Sequence, residues 1–257
     1  MRASVTALGC AVMLIVTSGC SSQSGSPPAS GSRPSASASS TLSVANTICG
    51  ALPSDIAPRV LLASDLSDRC PLFNANDGTI FGRNLGLDLS RAHGADGYRV
   101  VMKTGPGIQA GGYAAVSQYA APPPADVRID VDVERISGSE KTLFGLMCRF
   151  NLPRGNIAST AYTLTVASDG TYLVEFLGSP TVSNRMLTSG KAVVPQTGVT
   201  HIRADCISKT LTLYINGQRI ASVDDDALVN GLSGIYTRST DSAGGTIAFR
   251  NLVIAKP

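Results

Sequence analysis

The sequence predicts an all-β fold, a two-sheet β-sandwich, and three observations predict it. The first is strict alternation. In 199–223, V-T-H-I-R-A-D-C-I-S-K-T-L-T-L-Y-I-N-G-Q-R-I-A-S-V, Leu211, Leu213 and Ile215 alternate with Thr210, Thr212 and Tyr214. A period of two places one set of side chains on each face of a strand. The second is turn chemistry. Asn216-Gly217 sits between two alternating runs, and a type I′ hairpin turn needs positive φ at both central residues. Ser208-Lys209 marks a second turn, so 200–223 is expected to be three consecutive antiparallel strands. The third is composition: Gly, Ser, Thr and Val are abundant and no long helical periodicity occurs.

The remaining elements follow in order. Residues 45–52 are read as a short helix or an irregular segment, and 71–95 as loops with short strands. Asp96-Gly97 turns into a strand from Tyr98 to Lys103, which Gly105-Pro106-Gly107 ends. Residues 108–120 form a Gly/Ala-rich stretch carrying Tyr113 and Tyr119, and Pro122-Pro123-Pro124 is a stiff connector. Asp126 to Ile136 is a strand with Val127, Ile129, Val131 and Val133 on one face and Asp130, Asp132 and Glu134 on the other. Leu143 to Phe150 returns. Ala161 to Ala167 and Thr171 to Leu177 pair around Ser168-Asp169-Gly170. A polar segment, 178–192, leads to the central three strands. Asp224-Asp225-Asp226 turns, and Gly231 to Thr237 and Thr246 to Ile254 close the fold.

The N-terminus sets the compartment. Met1-Arg2 is a minimal positive region, and Ala3 to Val16 is an apolar run too short to span a bilayer. Thr17-Ser18-Gly19-Cys20 resembles a bacterial lipobox. The resemblance implies a lipoprotein signal peptide over 1–19 and a lipidated Cys20, with Thr17 where Leu is usual. More than one acyl chain on Cys20 suffices for stable anchoring. Residues 20–41 are Ser/Pro-rich and have almost nothing to bury. They are expected to be a disordered tether with a reach of roughly 25 Å, and 42–257 to be the folded domain.

Of the six cysteines, Cys10 falls in the signal peptide and Cys20 carries lipid. Cys49, Cys70, Cys148 and Cys206 remain, an even set in an exported chain, which reads as two disulfides. Four cysteines allow three pairings. Cys148–Cys206, both within strand patterns, and Cys49–Cys70, both near the domain start, are favoured; reduced buried thiols are the alternative. The net charge of +3 over 257 residues is spread thinly, and no basic cluster is dense enough for a nucleic-acid footprint.

Several motifs carry a resemblance. They are G-L-M-C-R (Gly145 to Arg149), the Tyr-containing hairpin from Tyr162 to Phe176, I-R-A-D-C…L-T-L-Y-I-N-G (Ile202 to Gly217), and G-T-I-A-F-R-N-L-V-I (Gly245 to Ile254). Residues 126–254 resemble the concanavalin A-like (laminin G-like) jelly-roll domains of bacterial exported proteins, and 60–103 resembles the first strands of the same sandwich. The resemblance implies a jelly-roll and suits neighbouring strands for Cys148 and Cys206. It leaves function open, because lectins, glycan-binding modules, glucanases and spacer domains share the fold.

Asp130, Asp132 and Glu134 are read as the solvated outer face of an edge-side strand. The glucanases of this fold make a hydrolase the competing reading, through carboxylates alternating on a concave strand. The run here starts with Asp, has no extra residue before Glu134, and the chain has no Trp to stack a sugar. His93 and His201 have no nucleophile elbow to serve, and His201 is read as a surface residue. Asp224-Asp225-Asp226 could bind a structural calcium ion, although a solvated turn is the plainer reading. Tyr113, Tyr119 and Tyr236, placed in or near loops, are candidates for a glycan platform, and Arg149 for contact with an acidic sugar or a partner. The expected protein is therefore a lipid-anchored module on the outer face of the bacterial cell membrane. It would bind envelope polysaccharide without catalysis; an envelope-protein interaction module is the alternative, and a glycoside hydrolase the second alternative.

Overall fold

The structure is a computed structural model that describes residues 47–49, 60–67, 73–81, 88–103, 111–117, 123–151, 159–178, 182–239, 241 and 243–257. All of them belong to one compact unit, Ser43–Pro257. The strands are β1 (Thr47–Cys49), β2 (Val60–Ser64), β3 (Phe73–Phe81), β4 (Asp88–Gly94), β5 (Gly97–Lys103), β6 (Gly111–Ser117), β7 (Val127–Gly138) and β8 (Leu143–Asn151). They continue with β9 (Thr160–Val166), β10 (Thr171–Leu177), β11 (Arg185–Lys191), β12 (Val199–Ile207), β13 (Thr210–Ile215), β14 (Gln218–Asp224), β15 (Leu232–Ser239) and β16 (Gly245–Ala255).

They form two sheets. A nine-stranded sheet runs β1-β2-β16-β7-β12-β13-β14, with β5 also paired to β16 and β4 to β5. A seven-stranded sheet runs β11-β10-β9-β8-β15-β6-β3. Pairing is antiparallel except between β1 and β2. The fold is thus the expected all-β sandwich. The three central strands are β12, β13 and β14, and Asn216 and Gly217 have φ of 50° and 79° at their turn, as a type I′ hairpin requires. In the β9–β10 hairpin the carboxylate of Asp169 accepts the Thr171 N–H at 2.8 Å while Gly170 takes a φ of 85°.

The two sheets bury one core between them. Val127, Ile129, Val131 and Val133 of β7 meet Phe144, Leu146, Tyr162, Leu164 and Phe176 of the other sheet. Tyr162 and Phe176 pack edge to face at 5.9 Å. The Cys148–Cys206 disulfide forms, with its Cα atoms 6.7 Å apart. Its strands are not side by side, because β8 and β12 belong to opposite sheets; the bond crosses the core and ties the layers together. Cys70 lies outside the described residues, as do Cys20, the signal-peptide segment and the tether, while Cys49 ends β1.

Four local readings are corrected. Residues 47–49 are a strand, added to β2 in parallel. Within 71–95, β3 and β4 are strands of nine and seven residues. The Gly/Ala-rich stretch holds β6, whose pairing with β15 and β3 supplies the hydrogen bonds that small side chains do not forbid. The polar segment holds β11, an edge strand that is largely exposed and so carries no apolar alternation for a sequence to show.

Candidate functional site

Each sheet turns one face away from the core. On the nine-stranded sheet that face carries Arg128, Asp130, Asp132 and Glu134 of β7. These lie on a central strand between β16 and β12, not an edge-side one, and register sets bases opposite them. His201 faces Asp132 and Arg203 faces Asp130 across β12. Arg128 holds Asp205 with two bonds of 2.8 Å. Arg203 donates to Asp130 at 2.6 Å, Arg250 to Glu134 at 3.0 Å, and Asn251 to Asp132 at 2.8 Å.

His201 is the hub of this ladder rather than a plain surface residue. Its Nδ1 lies 2.7 Å from Asp132 Oδ1 and its Nε2 3.2 Å from Asp130 Oδ1. A carboxylate only accepts, so both ring nitrogens must donate and the ring is an imidazolium. The bond to Asp130, then that to Asp132, pushes its pKa up to about 9 against burial. Burial pushes Asp130 upward, but the bonds from His201 and Arg203 outweigh it and hold the group low. Asp132 is held low chiefly by His201. Every carboxylate of the suspected hydrolase run is therefore occupied by a base or an amide, an arrangement of structural ion pairs.

The outward face of the seven-stranded sheet differs. Its residues are set by alternation: where Tyr162, Leu164, Val174 and Phe176 point to the core, Thr163, Thr165, Leu173 and Glu175 point outward. Thr163 stands directly opposite Glu175 on β10 and Met147 on β8. Met147, Phe150, Ala161, Leu177 and Tyr236 form a second, smaller buried cluster here. Arg238 of β15 reaches across β8 and β9 to Glu175 of β10, its Nη2 lying 3.2 Å from Oε1 and 3.0 Å from Oε2. Three inter-strand steps are about 14 Å, so the two side chains lie flat along the face as a strap. Only the contact to Oε1 is aligned for a hydrogen bond. Glu175 Oε2 and Thr163 Oγ1 are buried with no hydrogen-bond partner among the described residues.

Beside the strap, on the same face, lies a pocket of about 240 Å³ lined by Lys141, Leu143, Asp169, Thr171 and Leu173. Leu143 and Leu173 are apolar, while Lys141, Asp169 and Thr171 bring polar groups from the β7–β8 and β9–β10 turns. Ligand pockets combine an apolar lining with a few polar groups in the same way, at roughly 300–1,000 Å³; this one is smaller and has room for one ring rather than a long chain.

The predicted ligand residues fall elsewhere or are spent. Tyr113 is on β6, 0% exposed, and its hydroxyl meets that of Tyr98 at 2.6 Å inside the core. It offers no ring face to a sugar, because strand alternation turns it inward. Tyr236 is on β15, 1% exposed; it stands on the outward face of the seven-stranded sheet, where burial pushes its pKa up to about 12. Tyr119 lies outside the described residues. Arg149 has a φ of 53° at an irregularity in the β8–β9 register. Its guanidinium turns inward to the carbonyls of Leu228 at 2.9 Å, Ala125 at 3.4 Å and Ser208. Its donors bind three loops at one end of the sandwich, where Arg149 also lines a pocket of about 200 Å³ with Asp126, Lys209 and Leu228. The Asp224–Asp226 carboxylates diverge: Asp224 meets Lys209 and Thr210, and Asp225 meets Arg185 and Tyr162. Among the described residues no group of three or more His, Cys, Asp or Glu side chains gathers to hold a metal ion.

Sequence reasoning missed Thr163, Glu175 and Arg238. The available signal was a lone carboxylate in an apolar strand, Y-L-V-E-F-L (Tyr172 to Leu177).

No family model matches the chain, and no curated protein matches it. Solved structures do. The carbohydrate-binding module CBM66 from Bacillus subtilis is similar with a TM-score of 0.50 and 12% identity, covering 66% of this chain and 96% of its own. A Bacillus subtilis protein of unknown function with a galectin-like fold is similar with a TM-score of 0.53 and 10% identity, covering 77% of this chain and 96% of its own. The fold is that of galectin-like and carbohydrate-binding β-sandwich domains.

Proposed function

We propose that this chain is a cell-envelope lipoprotein whose sandwich binds an envelope glycan without catalysis. The observation that carries the reading is the pocket over Leu143 and Leu173, set against the polar strip of the seven-stranded sheet. The fold it shares with a carbohydrate-binding module supports it. So does the pairing of Asp130, Asp132 and Glu134 with bases, which leaves no free acid or nucleophile among them. Lipidated Cys20 would anchor the domain on the outer face of the bacterial membrane, with 20–41 as tether.

The test is thermal unfolding of the full chain in detergent against a panel of cell-envelope polysaccharides. A ligand at 100 times its dissociation constant adds about 2.7 kcal/mol of stability, and Leu173→Arg, which fills the pocket from a half-buried position, abolishes the shift. No stabilisation by any glycan overturns the reading.

A further inference from the structure

The pocket of about 200 Å³ beside Arg149 is built from four separate segments: the approach to β7, the end of β8, the β12–β13 turn and the β14–β15 loop. Four charged side chains line it, Arg149, Lys209, Asp126 and Asp226, and Leu228 and Val229 give it an apolar wall. Val229 is 69% exposed, so the pocket opens to solvent. It lies at the opposite end of β8 from Leu143 and the glycan pocket, about 20 Å along the strand.

The four charges do not satisfy one another. The Arg149 side chain is 2% exposed, and the Asp126 carboxylate lies 3.9 Å from it, beyond hydrogen-bond distance. Asp126 instead accepts the Ser208 N–H at 2.7 Å. The carbonyls that hold Arg149 solvate a cation without neutralising it, and burial pushes its pKa down. Asp226 is exposed, with no ion pair or hydrogen bond among the described residues. Lys209 meets Asp224 at 3.1 Å, but both are exposed, and such a pair is weak. Arg149 and Ser208 hold φ of 53° and 52°, a left-handed strain for residues other than glycine that gathers at ligand sites.

This mixture selects a ligand. A simple anion would meet Arg149 and Lys209 but face two carboxylates. A simple cation would meet Asp126 and Asp226 but face two bases. A neutral molecule would leave all four charges short. A small molecule carrying both charges close together serves them all. Its carboxylate takes protons from Lys209 and the Ser208 hydroxyl above the buried guanidinium, and its ammonium donates to Asp226 and Asp126. An α-amino acid has this form, and its side chain then meets Leu228 and Val229.

We propose that this pocket is a second binding site, separate from the glycan pocket, for small α-amino acids with an apolar side chain. Lys209 and Asp226 hold the two charged ends. Arg149 contributes the buried positive charge beneath the carboxylate.

The methyl groups of Leu228 and Val229 report on the pocket. The experiment titrates the full chain, carrying labelled leucine and valine methyls, in detergent with glycine and with both enantiomers of alanine and valine. Parallel titrations use their N-acetyl derivatives, which lose the ammonium, and their α-amides, which lose the carboxylate. The expected result is a saturable shift of Leu228 and Val229 with alanine or valine. Both single-charge derivatives bind at least about tenfold more weakly, because each loses hydrogen bonds to a charged group. Glycine binds more weakly than valine, having nothing to lay on the apolar wall. Asp226→Asn and Lys209→Gln alter exposed side chains, so the fold survives, and each weakens valine at least about threefold. No saturable shift of Leu228 or Val229 with any amino acid overturns the proposal. So does a single-charge derivative that binds as tightly as its parent, which would make this a plain anion or cation site, or an affinity unchanged in either variant. None of these outcomes touches the glycan reading, which Leu173→Arg tests at the other end of β8.

Discussion

His201 shows how much one side chain can owe to its neighbours. An imidazole with carboxylates at both nitrogens is held as a cation well above its ordinary value of 6.5, to about 9. Because the folded-state value is the higher one, its stabilisation is complete below pH 6.5 and is lost as pH rises through about 9. The side chain is 42% exposed, so solvent screening reduces the effect to on the order of 1 kcal/mol. Asp130 and Asp132 are held below 3.8, and their contribution is lost only as pH falls through those lower values. Denaturant unfolding between pH 6 and 10 is expected to show the alkaline loss in the parent and to lack it in His201→Asn. A His201 ring titrating near 6.5 by nuclear magnetic resonance would refute the bridge. Arg149 gives the complementary lesson. Its charge marks it as a ligand candidate, and the fold spends its donors on the carbonyls of Ala125, Leu228 and Ser208 beside a pocket that it lines, a placement that nothing in R-F-N-L announces.

Among the elements, the strands with clean alternation were legible in advance and the others were not. Strands β7, β12, β13 and β14 show one wet face and one dry face, so period two betrays them. β6 has small residues, and β11 is an exposed edge; both are strands because a neighbour supplies hydrogen bonds, which is not a local property. The disulfide is similar. Two bridging cysteines could be expected from their number, but that they cross between sheets follows only from the strand order. The bridge closes 58 residues of sequence, which predicts a loss of about 4 kcal/mol on reduction in the chain-entropy model. Urea unfolding with and without reductant measures it. An unchanged midpoint would mean that the reduced pair packs in the core as well as the bond does.

For the whole molecule, the N-terminal twenty residues and the sandwich make separate predictions. Replacing Cys20 with Ala is expected to abolish incorporation of labelled palmitate into the protein in cells, because that change removes the sulfur that would carry the lipid. Labelling that survives the change would reject the lipid anchor. Among the described residues no helix is long and apolar enough to span a membrane.

Alternation, turn residues and composition determined the sandwich class from the sequence by itself, because hydrophobic period and backbone φ are properties of neighbours in the chain. The candidate site was settled only by tertiary structure. Thr163, Glu175 and Arg238 come from β9, β10 and β15, and Arg238 is 63 residues from Glu175. They meet because β8 and β9 lie between β15 and β10 in one sheet, and strand order over such separations is a choice of the packed core, not of any local stretch of residues.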